Sequence, residues 1–184
     1  MQPLTPRRLL AAAAVAAAAL GVAGSALAAT AGSSSKARIA IKGGESFKPN
    51  AFIRDTQRYV PGTTPIRSGG TVTLANATTE PHTLSIVKAG DLPRTIGQVE
   101  NCSICGDITR AHGVDPNGPP PEGPPPNPVV DVGGSGFDQP GDSIFVGPKG
   151  SGSTVRFKVT AKAGTTLHYI CIIHPWMQGR LTVK

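Results

Sequence analysis

A chain of 184 residues, 39% of them hydrophobic and 16% charged, has the balance of a globular domain, neither a disordered chain nor one that spans a membrane throughout. Its formal net charge of +7 falls to +5 once Arg7 and Arg8 are set aside, and no dense Lys/Arg tract or aromatic-interleaved basic stripe is present. Nucleic acid is therefore not among the expected partners.

Residues 1–28 read as a secretory signal peptide. Arg7 and Arg8 supply the positive start, Leu9–Leu20 is an unbroken apolar run, and Ala26-Leu27-Ala28 is a small-x-small cleavage pattern. The alternative is an uncleaved N-terminal anchor, because continuing through Gly21–Ala29 lengthens the apolar stretch to about 20 residues. Either way the expectation is export, to the periplasm or the cell surface, with no membrane insertion of the domain that follows. Residues 29–37 read as a flexible linker and 38–184 as one domain.

Arg38–Lys42 alternates weakly and predicts a short strand. Phe47, Pro49 and Phe52 lie in an irregular stretch expected to cover one end of the core. After a turn at Gly69-Gly70, Thr71–Asn76 alternates with Val72 and Leu74 on one face. Glu80-Pro81 breaks the pattern and His82–Val87 resumes it. Side chains two apart share a strand face. Leu84 and Ile86 require the core, so His82 lies on the core side and Thr83, Ser85 and Val87 on the other.

Residues 89–150 read as an irregular, Pro/Gly-rich insertion. Asp107–His112 predicts a helical turn, Pro116–Pro128 holds eight prolines and predicts a polyproline-II loop, and Gly133-Gly134-Ser135-Gly136 predicts a turn. Regular alternation returns at Thr154–Thr160 and again at Leu167–Cys171, where Leu167, Tyr169 and Cys171 share a face. Leu181 and Val183 belong to a last strand. Short strands, many turns and little helix predict an all-β antiparallel sandwich.

The three cysteines divide unevenly. Cys102 and Cys105 form a C-x-x-C able to close a local disulfide in an oxidising compartment; a redox-active pair and a metal site with His112 are the alternatives. Cys171 is left single, which a metal-bound thiolate explains. Cys171-Ile172-Ile173-His174-Pro175-Trp176-Met177 offers a thiolate, an imidazole and a thioether within seven residues, and Pro175 stiffens the spacing. Soft sulfur with imidazole selects copper or zinc, and two His, one Cys and a weak axial Met form the blue-copper electron-transfer set. The second histidine is chosen among His82, His112 and His168. His168 has the wrong parity relative to Cys171, His112 lies in the insertion, and His82 has core-side parity at a strand end.

Gly70–Asn76, Pro81-His82-Thr83-Leu84, and Gly164 through Tyr169-Ile170-Cys171, His174, Met177 and Gly179 resemble the cupredoxins, the type 1 blue-copper family. The spacing with Pro after His is most similar to that of amicyanin and pseudoazurin. The resemblance covers about half the chain, residues 38–88 and 153–184. It implies a Greek-key β-sandwich with one type 1 copper ion near one end, held by His82, Cys171 and His174 with Met177 axial. It also implies a non-enzymatic one-electron carrier whose unidentified redox partner proteins dock at a patch of His174, Pro175 and Trp176. Asn76 and Thr83 are expected to support the ligands from behind. The other functions weighed are copper delivery without electron transfer and thiol–disulfide exchange through Cys102 and Cys105.

Overall fold

The computed structural model describes residues 34–134 and 136–184, so the expected signal peptide and most of the linker lie outside the described residues. Alternating apolar positions become strands with one face inward. In chain order these are β1 (Lys36–Lys42), β2 (Glu45–Lys48), β3 (Phe52–Asp55), β4 (Arg58–Val60), β5 (Thr63–Ile66), β6 (Thr71–Asn76) and β7 (His82–Val87). Helices α1 (Ile96–Glu100) and α2 (Ser103–Ala111) follow, then β8 (Val129–Val130), β9 (Ser143–Val146), β10 (Thr154–Lys158), β11 (Thr166–Ile170) and β12 (Gln178–Val183).

One sheet has the order β10-β6-β1-β4 and the other β5-β12-β11-β7-β9-β8, with β2-β3 a separate hairpin. Successive strands β6 and β7, β9 and β10, and β10 and β11 belong to opposite sheets, so the chain crosses between layers as a Greek-key sandwich requires. Pairing is antiparallel except at β1–β6 and β12–β5, which run parallel. The inner faces contribute Ile39 and Ile41, Val72 and Leu74, Leu84 and Ile86, and Leu167, Tyr169 and Leu181, all buried in one cluster. Burial of each such aliphatic side chain stabilises the fold by about 1.5–3 kcal/mol.

Three expectations change. Residues 89–150 are not irregular throughout: α2 extends well beyond the expected turn at Asp107–His112, and β9 is an inner strand paired with β7 from His82↔Val146 to Ser85↔Ser143. Four residues between turns are too few for periodicity to register. Phe47 and Phe52 are 68% and 51% exposed on the hairpin and cover no core, because β2 and β3 pair only with each other. Finally, every residue of β7 is buried. Its inner face meets the sandwich core. Beyond its outer face, Val87 packs with Cys105 and Ile108 of α2 and with Ile170 in a second cluster. The insertion thus turns a one-faced strand into a two-faced one.

Gly179 in β12 is fixed by close approach. A Cβ there would lie 2.4 Å from the Tyr169 ring, so the aromatic core beneath the last strand admits no side chain at this position.

Candidate metal centre

His82 opens β7 and is fully buried, held from one side by β9. Cys171 follows β11 directly and is fully buried. The loop after it is closed by its own backbone: the Cys171 N–H donates to the Met177 carbonyl at 3.1 Å, and the Met177 N–H donates to the His174 carbonyl at 2.8 Å. This tight loop folds His174 back over Cys171, and Pro175 within it is buried.

The two imidazoles and the sulfur converge. His82 Nδ1 and His174 Nδ1 are 3.1 Å apart, and Cys171 Sγ lies 3.6 Å from the first and 3.7 Å from the second. Among the described residues this is the one group of three or more His, Cys, Asp or Glu side chains arranged to hold a metal ion. Which ring nitrogen carries hydrogen follows from the outer partners. The Thr78 hydroxyl gives its proton to Asn76 Oδ1 at 2.8 Å, so it accepts at 2.9 Å from His82 Nε2–H. Glu80 Oε2 accepts from His174 Nε2–H at 3.0 Å. In the neutral rings both Nδ1 lone pairs then face inward with the sulfur. A thiol proton on Cys171 can satisfy one of these nitrogens at a time, whereas one ion satisfies all three atoms, and bonds of about 2.0–2.3 Å from it would span these separations. The residues present fit a small ion that accepts nitrogen and soft sulfur.

Burial of the two groups favours the same state. Burial, then the neighbouring His174, pushes His82 down to about 4, so its imidazole is neutral at ordinary pH. Burial pushes the Cys171 thiol up; a thiolate in this position needs a cation beside it.

The supporting residues act at different distances. The Thr83 N–H donates to Cys171 Sγ at 3.4 Å, and the Thr83 hydroxyl accepts from Ile172 N–H at 3.0 Å. Asn76 reaches no candidate ligand. Its amide donates to the carbonyls of Glu80 and Gly147 at 2.6 and 2.9 Å, while its carbonyl accepts from Thr78, which fixes the turn that carries Glu80 to His82. Met177 is 1% exposed and lies in the core cluster beside the loop. In the expected patch of His174, Pro175 and Trp176, Pro175 is buried, while Trp176 is 45% exposed with its ring edge-on to His174 at 5.2 Å. Exposed Ile173 stands beside them. Cys102 and Cys105 form a disulfide at the start of α2, with Cα atoms 5.3 Å apart. His112 and His168 are not in the cluster.

Three contributors leave little trace in the local sequence. Glu80 registered only as a break in a strand, Thr78 not at all, and Tyr59, whose buried hydroxyl donates to the Thr83 carbonyl, belongs to a three-residue strand. The only local signal was a carboxylate two residues before His82.

No family model and no curated protein matches the chain. Solved structures do. Auracyanin from the photosynthetic bacterium Roseiflexus castenholzii is 22% identical over 83% of this chain and 99% of its own, with a TM-score of 0.43. Auracyanin A, a "blue" copper protein from Chloroflexus aurantiacus, is 22% identical over 81% and 99%, with a TM-score of 0.42. A purple cupredoxin from Nitrosopumilus maritimus is 19% identical over 80% and 99%, with a TM-score of 0.39. Cupredoxins are among the solved structures to which this chain is similar.

Proposed function

We propose that this chain is an exported blue-copper protein that carries one electron on a single type 1 copper ion, which His82, Cys171 and His174 would hold strongly and Met177 weakly. One observation carries the reading: two imidazole nitrogens 3.1 Å apart, turned inward by the outer partners that hold each ring's Nε2–H, meet a buried sulfur at 3.6 and 3.7 Å. Two His, one Cys and a weak thioether match the copper electron-transfer set, whereas a structural zinc site draws four strong ligands. When bound, the metal supplies a reversible one-electron couple.

The protein's own groups do the rest. β7, β9 and the closed 171–177 loop hold the ligands in place, so little rearranges between charge states. Complete burial of His82 and Cys171 leaves no open position for substrate, which suits a carrier and not an enzyme. Ile173 and Trp176 flank His174 at the surface and give a redox partner an apolar approach. Export rests on the arginine pair, apolar run and cleavage pattern of residues 1–28.

The test is absorption of the copper-loaded mature protein. An intense blue band is expected when oxidised, lost on reduction and absent in Cys171→Ser. A variant that stays blue would refute the cysteine ligand, and a parent that takes up zinc but shows no copper band would refute the copper reading.

A further inference from the structure

Outside the metal cluster, the insertion buries one histidine against the outer face of β7 and β9. His112 ends α2 and is 2% exposed; Thr83, Ser85 and Ser143 are equally buried. Its Nδ1 lies 2.5 Å from the Asn127 carbonyl and its Nε2 lies 2.8 Å from Ser143 Oγ. Ser143 Oγ lies 2.7 Å from Ser85 Oγ, which lies 2.9 Å from Thr83 Oγ1. Thr83 Oγ1 in turn holds the Ile172 N–H at 3.0 Å, next to Cys171.

The proton positions in this row are determined from its two ends. A carbonyl only accepts, so Nδ1 of His112 carries hydrogen and donates to Asn127. In the neutral imidazole Nε2 is then an acceptor, and Ser143 must donate to it. Ser143 therefore accepts from Ser85, and Ser85 accepts from Thr83. The other end agrees: the Thr83 oxygen accepts from the Ile172 amide, leaving its proton for Ser85. All five bonds point one way, from Ile172 to Asn127, and bonds in such a row polarise one another. Burial pushes His112 down, which keeps the ring neutral and the direction fixed. The nearby carboxylate of Asp142 is taken up by the Val132, Asp138 and Gln139 amides, so it does not compete for the row.

We infer that His112 is a positioning residue for the Cys171 loop, acting through the Ser143–Ser85–Thr83 hydroxyl row to hold Thr83 Oγ1 as the acceptor of the Ile172 amide. The insertion is then part of the metal centre's scaffold, not an appendage. The consequence for copper rests on the proposed function; the row itself does not.

The experiment uses the metal-free mature protein, so its outcome is independent of copper binding. Nitrogen-15 shifts should show His112 as the neutral tautomer with hydrogen on Nδ1. Amide exchange at Ile172 should be about tenfold faster in Ser143→Ala and in His112→Phe, each removing one buried hydrogen-bond link. The double variant should be no faster than either single one, because both cut the same row. His112→Gln, able to donate to Asn127 and accept from Ser143, should stay near the parent. A His112 protonated on Nε2 overturns the inference. So does Ile172 exchange unchanged in folded Ser143→Ala, or single-variant effects that add. Should His112→Phe fail to fold, Ser143→Ala and Ser85→Ala decide the matter, since each loses only a hydroxyl.

Discussion

Glu80 places a carboxylate on the outer edge of His174, and Gln57 Nε2 donates to the same oxygen at 2.8 Å. A negative charge there favours the higher oxidation state of an ion held by the inner nitrogen. Glu80→Gln keeps an acceptor of similar shape and removes the charge. Its reduction potential, measured by titration of the copper-loaded protein, should rise by about 50–100 mV, the size of one unit charge several ångströms away at an effective dielectric near 20. His82 carries a second prediction. Its folded-state value of about 4 lies below the ordinary value near 6.5, so below about 6.5 the unfolded chain binds the proton more readily. The stabilisation is complete above about 6.5 and is lost as pH falls towards about 4, amounting to about 3 kcal/mol for the metal-free protein. Burial depresses His112 in the same direction. Urea unfolding between pH 7 and 4 should show the decline, and His82→Gln should make it shallower.

At the scale of elements, the insertion is anchored twice. Its disulfide fixes the start of α2, and Cys105 and Ile108 pack against Val87 and Ile170, behind the strands that deliver His82 and Cys171. Neither sulfur of the pair belongs to the metal cluster. The Cys102→Ser, Cys105→Ser double variant should therefore keep the blue band while losing about 2 kcal/mol, read as a Tm lowered by about 4–8 °C. Loss of electron transfer with the band intact would favour the thiol–disulfide reading. The C-x-x-C pairing was legible in the sequence because three residues of separation leave little geometric choice. The packing of Ile108 was not, since a nine-residue helix amid prolines and glycines does not announce which sheet face it covers.

At the scale of the whole molecule, the candidate metal centre joins distant parts of the chain: His82 and Cys171 are 89 positions apart. An ion bound there stabilises only the folded state, in which both ends meet. Calorimetry at free copper about 100-fold above Kd should find a Tm about 5–10 °C above the metal-free protein, and Cys171→Ser should lose that increment. Before the ion arrives, the cluster depends on sheet pairing, with β7 between β9 and β11 in one sheet.

Local sequence was enough to determine the strands with clear alternation, the core-side parity of His82, the hook from Cys171 to Met177 and the cysteine pair. Each of these depends on residues within a few positions of one another. Tertiary structure alone decided that Glu80 and Thr78 orient the imidazoles, that Ser143 belongs to an inner strand, and that His112 ends a hydroxyl row leading back to Ile172. Apart from Thr78, which lies four positions from His82, such contacts join residues tens of positions apart. Periodicity reports which way a side chain points, whereas its partner is set by how the sheets and the insertion stack.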